Sequence, residues 1–216
     1  MAIRLIAISL VWLIAGCASF RVGGQFQSGR QALLRNQPDA ALPYFLEVAK
    51  NDPDYAYQSM SFRQGIWSYV GRTQYAVGRL QEARQSLERG LAQDPNDHMA
   101  RLYLGLTLAR GGEYERGLKD IESAMRGLHD WIEYMERTRP LEAYWDPARE
   151  IRGAIEKELE RIAAKDVDRE QLIANAGWLG KTMEEEIDRA RRDERRRWES
   201  DSDQRRGHSL GIGIGF

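Results

Sequence analysis

QGIWSYVGRTQYAVGRLQEARQSLERGLAQDPND, residues 64–97, is the stretch whose reading decides the fold. Laid over the chain that follows, it returns at a constant offset: Gly71 answers to Gly105 and Leu87 to Ile121, so that 105 − 71 = 34 and 121 − 87 = 34. Apolar residues fall at helical spacing on either side of Gly78. Asp94-Pro95 then stops the second run, because proline has no N–H to give and its ring clashes with the preceding turn. Two antiparallel helices, repeated, follow from that pattern. A weaker copy lies upstream in Gly29, Pro38, Ala41, Phe45, Val48 and Asp52-Pro53, with the same glycine-to-alanine spacing (41 − 29 = 12; 83 − 71 = 12). Pro53 precedes Pro95 by 42 positions, eight more than one period, and the extra residues near Asp54 to Arg63 are expected to lengthen the first helix of the next unit.

A period of 34 built from helix pairs resembles the tetratricopeptide repeat (TPR). The residues that carry the resemblance are Trp67, Val70-Gly71, Gly78, Ala83, Leu87 and Asp94-Pro95, and it extends over about Gly24 to Gly127. Each has a packing reason: a glycine at the crossing and a small alanine opposite let the two helices approach, and proline after aspartate ends the pair. The resemblance implies an all-α fold, a TPR-like right-handed stack of antiparallel helix pairs, with three repeats at about 24–53, 55–97 and 98–137. The third departs from the pattern, with Arg101 in the tryptophan position, Gly117 for alanine and His129 for the terminal proline. With nothing to stop it, its second helix should run from about Tyr114 to about Arg137 on the stripe Ile121, Ala124, Met125, Leu128, Trp131, Ile132 and Met135.

Beyond the repeats, capping and extension helices are expected over 146–199. Asp146-Pro147 reads as the start of a helix to about Ala164, and Ala148, Ile151, Ala154, Ile155, Leu159 and Ile162 form one face able to close the open end of a short stack. Asp168-x-x-Gln171 reads as a capping box for a last helix with the face Leu172, Ala176, Leu179, Met183, Ile187 and Ala190, where Gly177 and Gly180 are the points at which it could bend. From Arg189 to Arg206 charges of both signs crowd together; a solvated, fraying helix end is the favoured reading, contact with anionic lipid, envelope polymer or nucleic acid the alternative. Residues 200–216 read as a flexible Gly-rich tail, whose Leu210, Ile212, Ile214 and Phe216 alternate with glycine at the period of a strand, leaving docking as an edge strand open.

At the other end, Arg4 and the apolar run Leu5 to Ala15 have the size of a signal peptide's core and are short for a membrane span. Ile14-Ala15-Gly16-Cys17 resembles the lipobox of bacterial lipoproteins. That resemblance implies cleavage of 1–16, diacylglycerol and an N-acyl chain on Cys17, and a short linker over 17–23. Ala18, in place of aspartate, implies transfer to the periplasmic face of the outer membrane, the inner membrane being the lesser choice. An ordinary secretory signal with an incidental cysteine, or an uncleaved anchor, are the alternatives. Cys17 is the single cysteine of the chain, so no internal disulfide can form and a thiol left bare would be an oxidisable liability. Acyl chains at about 0.8 kcal/mol per buried methylene would hold the protein firmly to a bilayer.

The 216 residues are 42% hydrophobic and 30% charged, with formal net charge −1, which suits one helical domain with extensions and gives no pull toward nucleic acid. His98, His129 and His208 have no second histidine at helical or turn spacing, so no metal is expected. There is no nucleophile elbow and no phosphate loop. Glu184, Glu185 and Glu186 are consecutive, so on a helix they point in different directions and cannot work as an acid–base pair. An enzyme is therefore a remote alternative, and no cofactor is expected besides the lipid on Cys17.

In TPR stacks the first helices line a concave groove. Transferred to this chain, that implies a protein-binding surface made of Phe26, Arg30 and Leu33, then Ser68, Arg72 and Tyr75, then Leu102, Leu106 and Arg110. The arginines could offer planar forks to carboxylates, with the aromatic rings as anchors. The lysine and asparagine set of the chaperone-binding carboxylate clamp is missing, which leaves tail-specific recognition without support. Two functions stand open: an exchangeable adaptor for envelope, pilus or secretion assembly, and a fixed structural subunit of one outer-membrane machine. Oligomeric state is not readable.

Overall fold

The computed structural model describes residues 21–59, 62–138 and 145–210, with side chains as far as residue 200. The chain is all-α, a TPR-like helical stack with further helices after it, interrupted by one small hairpin. In order come α1 (21–34 of the described residues), α2 (Pro38–Asn51), β1 (Ala56–Ser59), β2 (Phe62–Gly65), α3 (Ile66–Ala76), α4 (Leu80–Gln93), α5 (His98–Arg110), α6 (Tyr114–Thr138), α7 (Glu150–Ala163) and α8 (Arg169–Leu210). Two compact units emerge: the first runs through Gln58 and from Arg63 to Ala124, the second takes Ser59–Phe62 and the chain from Met125.

In the first unit, one turn design recurs in α1–α2, α3–α4 and α5–α6. Asn36, Gly78 and Gly112 each adopt positive φ (57°, 80° and 94°). The next residue's N–H reaches back five positions, Gln37 to Ala32 O, Arg79 to Gln74 O and Glu113 to Leu108 O, each at 2.9 Å. This closing bond satisfies the last carbonyls of the first helix and reverses the chain. Close approach of the paired helices is set by glycine. A Cβ on Gly71 would fall 2.8 Å from Leu87 Cδ2, and one on Gly105 would lie 2.7 Å from Gly117 O and 2.8 Å from Ile121 N. The buried residues Ala83 and Leu87 of α4 and Ile121 of α6 fill the seams so formed.

The extra residues after the first pair do not lengthen α3. They make the two-stranded sheet β1–β2, whose burial alternates: Tyr57, Ser59, Phe62 and Gln64 face in, Gln58 and Arg63 face out. Period two excludes a helix there. The donation from Ile66 N to Tyr55 O at 2.8 Å closes the hairpin's base and releases the chain into α3. Inside, Phe26 gathers Phe45, Tyr55, Tyr57 and Tyr69 at centroid distances between 4.8 and 5.7 Å.

In the second unit α6, α7 and α8 contribute Met125, Leu128, Ile132 and Met135, Ile151 and Ile155, and the stripe Leu172, Ala176, Leu179, Met183, Ile187 and Ala190. Trp131 meets Phe62 and Trp145 edge-on, both at 4.7 Å. Three boundaries differ from the sequence reading. α1 already includes residues 21–23, placed above in a linker. α7 starts at Glu150, not at Pro147: Pro147 lies in the preceding turn, while the Asp146 carboxylate still caps the helix by accepting from Ile151 N at 3.0 Å and Arg152 N at 2.9 Å. α8 continues through Gly177 and Gly180 and on to Leu210, eleven residues into the expected tail (210 − 199 = 11); a capping bond from Gln171 N to Asp168 Oδ1 at 2.9 Å precedes its run. Cys17 and residues 211–216 lie outside the described residues.

Candidate functional site

The groove residues expected from the repeat register come from α1, α3 and α5, and the structure buries seven of the nine. Phe26, Arg30, Ser68, Arg72, Tyr75, Leu102 and Leu106 are buried; Leu33 is half-buried and Arg110 exposed. They do not form an open lining. The reason lies in what each touches. Phe26 is the centre of the aromatic cluster. Leu102 and Leu106 belong to a helix in which every residue from Leu102 to Leu108 is buried, apolar around its whole circumference and so a core helix. Ser68 Oγ lies 3.4 Å from Asp97 Oδ1, within hydrogen-bond reach.

The arginines pack against tyrosine faces in a regular series. Arg30 lies 4.7 Å from the Tyr57 ring centroid and donates to its hydroxyl at 3.3 Å. Arg72 lies 4.9 Å from Tyr69 and 5.7 Å from Tyr103. Arg110 stacks on Tyr75 at 4.6 Å. A guanidinium held over a ring keeps its charge with its plane fixed, so the series is a rigid, cationic wall. Burial pushes the Tyr75 hydroxyl up to about 12, against the opposing pull of Arg110. The end of the series open to solvent is Arg110, which has no carboxylate partner among the described residues.

Two arrangements went unread in the sequence. Asp97, the cap of α5, is buried and accepts from Ala100 N at 2.8 Å and Gly65 N at 3.1 Å, tying the end of the hairpin to the start of α5. Burial raises its carboxyl to about 6 despite those two donors. In the second unit Arg152, 1% exposed, donates to Glu133 Oε1 at 2.8 Å, to Glu136, and to Asp146 Oδ2 at 3.2 Å and the Asp146 carbonyl at 2.9 Å. Asp146 N in turn donates to Glu186 Oε1. The network fastens α6, α7 and α8 through one aspartate; the Asp-Pro pair signalled the cap, and nothing in the linear pattern signalled the rest.

A tetratricopeptide repeat family model matches residues 71–127, from within α3 to within α6. That segment and the stacked pairs around it share the TPR-like helical architecture. No curated protein sequence matches the chain. Among the described residues no group of three or more His, Cys, Asp or Glu is placed to hold a metal ion, and no helix is long and apolar enough to cross a membrane.

Proposed function

We propose that this chain is a lipid-anchored scaffold whose TPR-like stack binds other proteins during envelope, pilus or secretion assembly, at the periplasmic face of the bacterial outer membrane. The binding half of the reading is carried by one observation, the 34-residue unit realised as stacked helix pairs with a family match across 71–127. Such stacks present side chains on a fixed lattice, which suits recognition rather than bond-making. The anchoring half is supported by Ile14-Ala15-Gly16-Cys17 behind a signal-like apolar run. Binding falls to the exposed end of the arginine–tyrosine series, Arg110 on Tyr75, since the buried arginines are committed to packing.

Crosslinking in intact membranes followed by mass spectrometry tests the site. Arg110→Glu reverses an exposed charge without opening the core, so at least one partner found with the wild type should be lost at unchanged melting temperature. Retention of every partner sinks the assignment of this edge. The wild type should incorporate labelled palmitate and Cys17→Ala should not, and a Cys17→Ala variant labelled as strongly as the wild type removes the lipid anchor.

A further inference from the structure

The second unit holds a concavity of about 250 Å³ between α7 and α8, at the edge of the packed core. Its floor is apolar: Met125, Ile155 and Leu179. Its wall is Glu158, a buried carboxylate held in place through one oxygen by Asn175 Nδ2 at 2.7 Å and Arg161 Nη1 at 3.2 Å. The other oxygen takes no hydrogen bond among the described residues and is left as an acceptor. Trp178 also lines the pocket and is 45% exposed, although large apolar rings are usually covered. Gln171 and Asn175 add two carboxamides, each both donor and acceptor.

The charges narrow the occupant. Lys157 and Arg161 oppose a cation, and Glu158 opposes an anion, so neither kind of ion is well served. What fits is a neutral molecule with donors and acceptors around its edge and an apolar face. A pyranose ring has both, its C–H face lying against an indole while its hydroxyls exchange hydrogen bonds with carboxylate and amide. An acetamido substituent completes the match: its N–H suits the open oxygen of Glu158, its carbonyl a carboxamide donor, and its methyl the half-buried Ala154 above the apolar floor. The volume sits below the roughly 300–1,000 Å³ of drug-sized sites, which suits a single ring with one substituent. We propose that the α7–α8 pocket is a binding site for an acetamido sugar, free or as a residue of a glycan, with Trp178 as stacking platform and Glu158 as acceptor.

Saturation-transfer NMR and calorimetry on the full chain test this with three probes: N-acetylglucosamine, its β-1,4 tetramer and maltotetraose. Binding of either acetamido probe, with maltotetraose at least about tenfold weaker, is the expected result. The ratio of monomer to tetramer affinity separates a free sugar from a polymer as the source. Trp178→Ala, at an exposed position, should weaken binding at least about tenfold without altering the melt. Glu158→Gln, which keeps the side-chain shape, should weaken it while maltotetraose is unaffected. Silence from both acetamido probes, equal binding of maltotetraose, or full affinity in Trp178→Ala overturns the proposal.

Discussion

Gly105 and Gly117 face each other across the α5–α6 crossing, and a Cβ on either would collide with backbone of the partner helix. Backbone cannot rotate away as a side chain can, so Gly105→Ala should destabilise the first unit by about 1–3 kcal/mol, read from denaturant midpoints. Gly153 is the opposite case: within α7 and with nothing within 4 Å of a built Cβ, it should gain about 0.5–1 kcal/mol from Gly153→Ala. The contrast was legible beforehand for Gly71 and Gly105, because only a repeated glycine at a helix crossing gives the 34-residue offset a physical meaning. Asp97 was not legible: an aspartate after Asp94-Pro95-Asn96 reads as an ordinary turn residue, and its burial depends on Gly65 and Ser68 arriving from the previous repeat.

At the scale of elements, the Asp97 cap makes the join between hairpin and α5 sensitive to pH. Its carboxyl titrates at about 6 when folded against 3.8 ordinarily, so the folded state binds the proton more tightly. Stability from this group is therefore greatest below the ordinary value and declines as pH rises through the interval up to about 6, by at most about 3 kcal/mol. Comparing wild type with Asp97→Asn at pH 4.5 and pH 7.5 isolates it: the wild type should lose ground to the variant on going to the higher pH, and parallel curves would show no such titration. In the second unit, Asp146→Ala removes the α7 cap and the carboxylate that the Arg152 guanidinium shares with Glu133 and Glu136, for an expected loss of about 2–4 kcal/mol, while Arg152→Met, apolar and similar in reach, should be milder. The helix pairs were readable because period and turn glycines agree. The hairpin was not, since its alternation of Tyr57, Ser59, Phe62 and Gln64 spans few residues and sat inside a repeat register that promised helix. Groove positions transferred from the repeat assumed an exposed face, and α5, apolar all round as L-Y-L-G-L-T-L, already argued otherwise.

For the molecule as a whole, the sequence spoke clearly where a local pattern repeats and faintly where distant segments meet, as in the Arg152 network and the Trp178 pocket. α8 is the extreme case of local design. Ala190 is the last buried residue among its described side chains; from Arg191 to Ser200 none is buried, and Trp198 is 76% exposed. Pairs at three and four positions brace this portion, Arg191 to Asp188 at 3.4 Å, Arg189 to Asp193 at 2.7 Å, and Arg192 to Asp188. Such pairs along a helix surface are worth only tenths of a kcal/mol each and fade as ions crowd in, the screening length shrinking to about 3 Å at 1 M salt. Brine rather than heat is thus the reagent that should unravel this arm. Circular dichroism in concentrated sodium chloride should lose helical signal while the denaturation midpoint of the packed helices holds, and a signal indifferent to salt would mean that the arm leans on something other than its own charges.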